Sequence, residues 1–248
     1  MGELTSAQWQ QFEEDGYLPL GRVLDEAELE ALRSRVDEIM LGTADVDYDE
    51  LLMQLDGSPA QTNGWKGATL GYRKIQGLEA DRVFAAYMSR PAYRELCRRV
   101  YGPVPISCYR AMLLNKPANA GTVLGWHQDR WTHLDRDPLL TIWTALDPST
   151  EASGAVRIVP GSHRRGLLNP DDPSGFLTEE LTAEHCGSDG QRVLEVDAGE
   201  AVLLHNWLLH FSPTNTNPTP RRAFSVCYMD ARTTSRDTGR PFPTVWAA

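Results

Sequence analysis

After Tyr101 the chain breaks into six short runs of β-forming residues, and no other feature limits the fold so tightly. They span 106–115, 140–146, 155–159, 191–196, 201–205 and 223–229, and clusters of Gly, Pro, Asn and Asp separate them. Short strands at regular spacing, divided by turn residues, close on one another as a sandwich or barrel, jelly roll included. The first hundred residues have another texture. Thr5 with Gln8 three positions on is a capping-box pattern, and Gly16 supplies a stop. Asp25 with Glu28 opens a second helix, whose apolar face is Leu29, Leu32, Val36 and Ile39. A third helical stretch runs over roughly 81–100. Residues 41–64 are polar, rich in Asp and punctuated by Gly and Pro, which predicts a long mobile loop of the kind that supplies active-site lids. The expected architecture is mainly β with flanking α-helices. It is one domain over 1–248, mainly helical in 1–100 and with a β-rich catalytic core in 101–248.

Composition removes several function classes. A net charge of −10 argues against a nucleic-acid surface as the main function. No apolar run approaches the length of a membrane span, and the opening MGELTSAQWQQFEEDG carries charges where a signal peptide needs an apolar stretch. The expectation is a cytoplasmic protein with a small-molecule substrate and neither a nucleic-acid nor a membrane partner. Cys97, Cys108, Cys186 and Cys227 are scattered without a C-x-x-C pair, which reads as buried free thiols in a reducing compartment.

The chemistry concentrates in two segments. Gly125-Trp126-His127-Gln128-Asp129 contains H-x-D. On an extended strand His127 and Asp129 project to one face, so an imidazole nitrogen and a carboxylate oxygen can reach one metal. A second histidine would complete a two-histidine, one-carboxylate set that leaves positions open on an octahedral iron. H-x-D alone is a weak signal and needs context. The segment from His205 to Ala223 offers two histidines, His205 and His210, then Ser212, Arg221 and Arg222. A guanidinium near iron suits a dicarboxylate, because its planar fork grips a carboxylate through two bonds, with Ser212 adding a third. Arg221 and Arg222 point to opposite faces of a strand, so one of them faces the metal.

These motifs, taken in order, resemble the phytanoyl-CoA dioxygenase family within the 2-oxoglutarate oxygenases. The resemblance extends from QFEEDGYLPLGRVLDEAELEALR through GWHQDRWTHLDRDPLLTIWTALDPST and SGAVRIVPGSHRRG to HFSPTNTNPTPRRA. It implies a double-stranded β-helix with flanking helices, with Fe(II), 2-oxoglutarate and O2 as cofactor and co-substrates. It places the iron ligands on His127, Asp129 and His210, the 2-oxoglutarate arginine on Arg221 and its accompanying hydroxyl on Ser212. Lys74, within Arg73-Lys74-Ile75-Gln76, matches the family's lysine near the co-substrate, and Tyr109 and Trp143 match other positions lining that pocket. His205 is then a strand histidine, and Arg222 faces away. Where the family has Asn-Gly before PGSH, this chain has Ser153-Gly154, and the turn can form on Gly154. The family's halogenating relatives lack the carboxylate ligand. Asp129 therefore implies a hydroxylase acting on an unactivated C–H, with succinate and CO2 released.

Candidate substrate contacts are Gln128 and Arg130 beside Asp129, Trp131 and Trp207 near the metal segments, Arg157 on a neighbouring strand and Trp65 in the expected lid. Two other functions compete. One is a redox-neutral jelly-roll enzyme such as a cupin-type isomerase, which has no use for a dicarboxylate clamp. The other is a non-catalytic binding module, against which an intact triad speaks.

Overall fold

The computed structural model describes residues 2–247. Helices α1 (Ser6–Asp15) and α2 (Glu26–Leu41) carry complete capping boxes. Thr5 and Asp25 accept from the amides of Gln8 and Glu28, whose side chains return the bond to the cap amide. Strand β1 (Tyr17–Arg22) lies between them. Leu29, Leu32, Val36 and Ile39 are all buried, so α2 lies on the core through the face its spacing predicts. The stretch expected as one helix is two, α3 (Arg82–Met88) and α4 (Pro91–Tyr101). Pro91 cannot donate the amide bond a continuing helix needs and holds Arg90 extended, so it starts a new helix at its first position. The last helix is α5 (Glu179–His185).

The remaining strands are β2 (Leu52–Leu55), β3 (Thr62–Asn63), β4 (Tyr72–Gln76), β5 (Ile106–Lys116), β6 (Leu124–His127), β7 (Leu140–Ala145), β8 (Arg157–Ile158), β9 (Arg192–Val193), β10 (Glu200–His205), β11 (His210–Ser212), β12 (Arg221–Asp230) and β13 (Thr244–Trp246). All pair antiparallel, in two sheets. The larger has the order β1-β10-β7-β12-β5-β4-β2-β3, with β13 also on β5, and the smaller is β6-β11-β8-β9. This is the expected jelly roll with flanking helices. One expectation fails in part. Residues 41–64 are not a free loop, because β2 and β3 join the larger sheet and Met53 is fully buried opposite Ile75. The apolar run Leu51 to Leu55 is too short to show a period, and its conformation is set by pairing with β4.

Alternation along the central strands sorts the side chains. Leu140, Ile142, Phe224, Val226, Ala111 and Leu113 pack with α2, α3 and α4 on the outer face of the larger sheet. Their neighbours Thr141, Trp143, Ser225, Arg110, Met112 and Leu114 turn inward, toward the smaller sheet. Tyr17, Trp143, Ile158, Val202 and Ala223 form a second core between the sheets. The rest of that inter-sheet space is the site. Among the described residues no helix is long and apolar enough to cross a membrane.

Candidate active site

His127 ends β6, His210 begins β11, and the two are register partners with ring centroids 3.9 Å apart. In each ring Nδ1 donates to a carbonyl two residues back, Gly125 at 2.8 Å and Leu208 at 2.9 Å. Both bonds fix the tautomer and leave the Nε2 lone pairs free. Asp129 is not on the strand, as the alternation argument assumed, but two residues past its end. Its amide donates to the Asn206 carbonyl at 2.7 Å, which returns the carboxylate to the histidine pair. One ligand atom from each of His127, Asp129 and His210 lies within 4.8 Å of the others. Burial, then the neighbouring His210, pushes the His127 pKa down to about 3, so this imidazole is a neutral donor. Burial, the largest single influence, would raise Asp129, but Arg110, His210, His127 and Lys74 together outweigh it and hold the carboxyl below its usual range. His205 lies outside the group. Its ring packs at a tilt against His163, centroids 4.9 Å apart, and accepts from the Trp207 amide.

The triad opens into a cavity of about 330 Å³ between the sheets. A more open depression bordered by Asp56, residues 119–122 and residues 214–216 lies outside it, and its one carboxylate is already engaged by Gly121 and Thr122. One end of the cavity is cationic. Arg221 is 3% exposed, and its Nη2 donates to Ser212 Oγ at 3.1 Å and to the Gly154 carbonyl at 2.9 Å. Its Nε and the neighbouring Trp143 Nε1 are buried without a protein partner, an arrangement that costs free energy until something accepts from them. Burial pushes the Arg221 pKa down to about 10. Lys116 is the register partner of Arg221 on β5 and is 6% exposed. Its Nζ donates to the Thr122 carbonyl at 2.7 Å. Burial, then Arg221 and Arg73, depresses its pKa to about 7, with Asp56 opposing. Gly154 sits here with φ +77°, the turn expected in place of Asn-Gly. A Cβ there would come within 2.9 Å of Lys116 Cδ and of the carbonyls of Pro213 and Thr214. Arg222 turns outward, gripping Asp147 at 2.8 and 3.0 Å and Asp37 at 2.7 Å.

Of the other expected residues, Lys74, Trp143, Arg130 and Trp131 line the cavity. Burial, then Arg110, brings the Lys74 pKa down to about 8. Five expectations need correction. Tyr109 occupies a bulge in β5, where the register skips from Cys227–Arg110 to Tyr228–Cys108. The bulge takes its ring out of the cavity lining and onto Trp131 and His133. Gln128 is buried and spent on the carbonyls of Gly166 and Trp207 and the amide of Leu168, so it braces the metal loop. Arg157 pairs with Glu151 at 2.8 Å, outside the cavity. Trp207 packs edge-on to His205. Trp65 caps the end of α2 through the Met40 carbonyl.

Three contributors escaped the sequence reading: Lys116, Arg110 and Phe176. Arg110 Nη2 lies 3.4 Å from Asp129 Oδ1, and its guanidinium stands 4.7 Å from the centre of the Trp131 ring. Phe176 stacks on His127 at 4.9 Å. The segment carrying it crosses the metal loop through Gly175, whose carbonyl accepts from the Gln128 amide at 3.0 Å. The alternation of β5 could have found Arg110 and Lys116, since both share a face with Met112 and Leu114. Nothing in the sequence marks Phe176.

The sequence profile of the phytanoyl-CoA dioxygenase (PhyH) family matches residues 12–223. The chain belongs to the phytanoyl-CoA dioxygenase family. With that membership come the enzyme class and cofactor set expected above: a non-haem iron oxygenase that uses 2-oxoglutarate and O2. Among relatives, L-proline trans-4-hydroxylase of Streptomyces griseoviridis is 26% identical over 250 residues, covering 92% of this chain and 87% of its own. Among solved structures, EctD from S. alaskensis with 2-oxoglutarate and 5-hydroxyectoine superposes with a TM-score of 0.76 at 21% identity, covering 96% of this chain and 82% of that one. The α-ketoglutarate-dependent carbocyclase SnoK from nogalamycin biosynthesis gives 0.73 at 22%, covering 97% and 94%. The two structures establish a shared fold. The epimerase SnoN from the same nogalamycin biosynthesis also shares it, so the fold does not by itself select the reaction.

Proposed function

We propose that this oxygenase hydroxylates an unactivated C–H of a small metabolite, with iron held by His127, Asp129 and His210. The observation that carries the assignment is the convergence of these three donors within 4.8 Å, with both imidazoles fixed to present Nε2. Two neutral imidazoles and one carboxylate are the donor set for a divalent iron with open positions. Iron, 2-oxoglutarate and O2 bound here would together supply an oxidant able to break a C–H bond, one oxygen atom leaving in succinate, formed with CO2, and the other going to the substrate.

The chain's own residues position and shield that chemistry. Arg221 offers the far carboxylate of 2-oxoglutarate a guanidinium whose Nε is free, and Ser212 Oγ holds the guanidinium from the other side. Lys116 supplies the second charge at the same pole, and Lys74 lines the wall toward the metal. Trp143 and Phe176 border the cavity with apolar rings, which limits water around the reacting bond. Two buried cations facing each other across adjacent strands favour a dianion between them. A redox-neutral isomerase has no use for that pole, and the intact triad speaks against a bare binding module.

The test is succinate formation by the purified protein with Fe(II) and 2-oxoglutarate, beside direct Fe(II) binding by the parent and by Asp129→Ala. The parent binds one iron per chain and releases succinate. A parent protein that binds iron yet gives no succinate over a broad panel of small metabolites overturns the oxygenase assignment for this site.

A further inference from the structure

The cavity holds more positive charge than its cofactors use. Six cations line it, namely Arg73, Lys74, Arg110, Lys116, Arg130 and Arg221, against one carboxylate, Asp129. Loading with Fe(II) and the 2-oxoglutarate dianion adds no net charge, so the surplus survives in the loaded enzyme. Several of the six are accounted for. Arg221 and Lys116 form the co-substrate pole, Arg73 faces Asp56, and Arg130 donates to the Pro170 carbonyl. Arg110 is not. Its Nη2 reaches Asp129 only at 3.4 Å, and its Nε is buried without a protein partner. The structural arginine Arg222 shows the contrast, with three side-chain bonds to carboxylates at 3.0 Å or less.

Position separates Arg110 from the co-substrate clamp. It lies six residues along β5 from Lys116, about 20 Å between Cα atoms at the rise of an extended strand. Arg110 stands beside the triad, against Asp129 at 3.4 Å. Arg110 is also the more open, half-buried with its side chain 18% exposed, whereas Arg221 is buried. Trp131 lies against the guanidinium and sets its orientation before any ligand arrives. A half-open guanidinium with free donors, held by an aromatic ring beside the metal, is a pre-organised fork for an oxyanion. The cavity of about 330 Å³ is at the small end for ligand sites, and 2-oxoglutarate takes part of it.

We infer that the substrate is a small carboxylic acid whose carboxylate is held by Arg110, with the reacting carbon beside the metal. The inference rests on the oxygenase reading above and goes further by naming the substrate class and its anchor.

The test uses the anaerobic Fe(II)–2-oxoglutarate enzyme and a panel of L-amino acids and three- to eight-carbon monocarboxylic acids, each beside its primary amide. Binding is read by calorimetry and turnover by succinate above the uncoupled rate. At least one acid should bind and stimulate, with its amide at least tenfold weaker. Arg110→Gln should weaken that acid by about 10- to 150-fold, the worth of one charge-assisted interaction, and Arg110→Lys should recover part of the loss. Circular dichroism checks the fold of both variants. The inference is overturned if amides serve as well as acids, if no acid binds, or if Arg110→Gln binds the acid normally. It is equally overturned if Arg110→Gln loses 2-oxoglutarate as severely as the acid, because Arg110 then belongs to the co-substrate. Failure of the oxygenase reading looks different: the parent itself would bind no iron or 2-oxoglutarate, or would bind both and release no succinate with any metabolite of the broader panel, acid or not.

Discussion

Lys116→Met separates binding from stability, because the two should move in opposite directions. Lys116 is 6% exposed, faces Arg221 across the β5–β12 ladder, and has no carboxylate within salt-bridge distance among the described residues. Its pKa falls from 10.5 to about 7, so the ligand-free protein carries the full cost of the buried charge below pH 7. A depression of that size corresponds to roughly 3–5 kcal/mol. Met keeps the stem that packs against Gly121 and Gly154 and gives up one bond to the Thr122 carbonyl, worth about 1 kcal/mol. Near pH 6.5 the variant without ligand should therefore gain on the order of 2–4 kcal/mol, a rise of several degrees in Tm. The advantage should shrink as pH rises through 7 toward 10. Over that window the parent's folded state loses a proton that its unfolded state keeps, so the parent gains stability. The same variant should bind 2-oxoglutarate at least tenfold more weakly, so that saturating co-substrate raises its Tm less than it raises the parent's. Calorimetric melts with and without 2-oxoglutarate read both effects. A variant that melts lower than the parent at pH 6.5 and binds 2-oxoglutarate equally well would refute the claim that Lys116 is held uncompensated for a dianion.

Asp129→Ala should abolish coupled oxygenation and weaken Fe(II) binding, read by metal content after dialysis, and full hydroxylation by this variant would sink the triad. Arg221→Ala should raise the 2-oxoglutarate requirement by roughly 30- to 1000-fold, and Arg221→Lys should restore only part of it, read by titrating succinate formation. Arg222→Ala should leave that titration nearly unchanged but cost about 2–4 kcal/mol of stability, because Asp147, whose side chain is 11% exposed, loses its bidentate partner. Gly175→Ala should lower both activity and iron retention. Gly175 has φ +72° and a Cβ there would overlap the Gln128 carbonyl oxygen, so the crossing segment must lift and carry Phe176 off His127.

Local chemistry was legible wherever a residue and its partner lie close in the chain. Thr5 with Gln8 and Asp25 with Glu28 name their own helix starts, and the face of α2 follows from its spacing. Two short motifs carry the His127, Asp129 and His210 group, but strand alternation does not account for its geometry. Asp129 reaches the histidines through a loop pinned by Asn206, not through strand alternation. Trp65, Trp207 and Arg157 were chosen for nearness in sequence or for composition, and each is instead engaged by a local partner: the Met40 carbonyl, the His205 ring and Glu151. Tyr109 failed for a subtler reason. A single bulge changes which face a strand residue presents, and a bulge leaves no mark in a β-rich run.

What the sequence could not supply is register between distant strands, and the electrostatics of the site depend on it. Lys116 is unremarkable in its own segment, and the motif that marks Arg221 says nothing of Lys116. Antiparallel pairing of β5 with β12 sets them directly opposite each other, and both are buried. The same ladder sends Arg222 to the outer face, where Asp37 and Asp147 neutralise it. Three basic residues of similar composition thus take opposite roles from one pairing. Two are left without counter-charges and form a site for an anion, while the third is matched and holds the fold together. At the other end of β5, Arg110 stands between the two kinds, with one long contact to Asp129 at 3.4 Å and its Nε without a protein partner. Its incomplete pairing is therefore better explained by a ligand than by a defect in the packing.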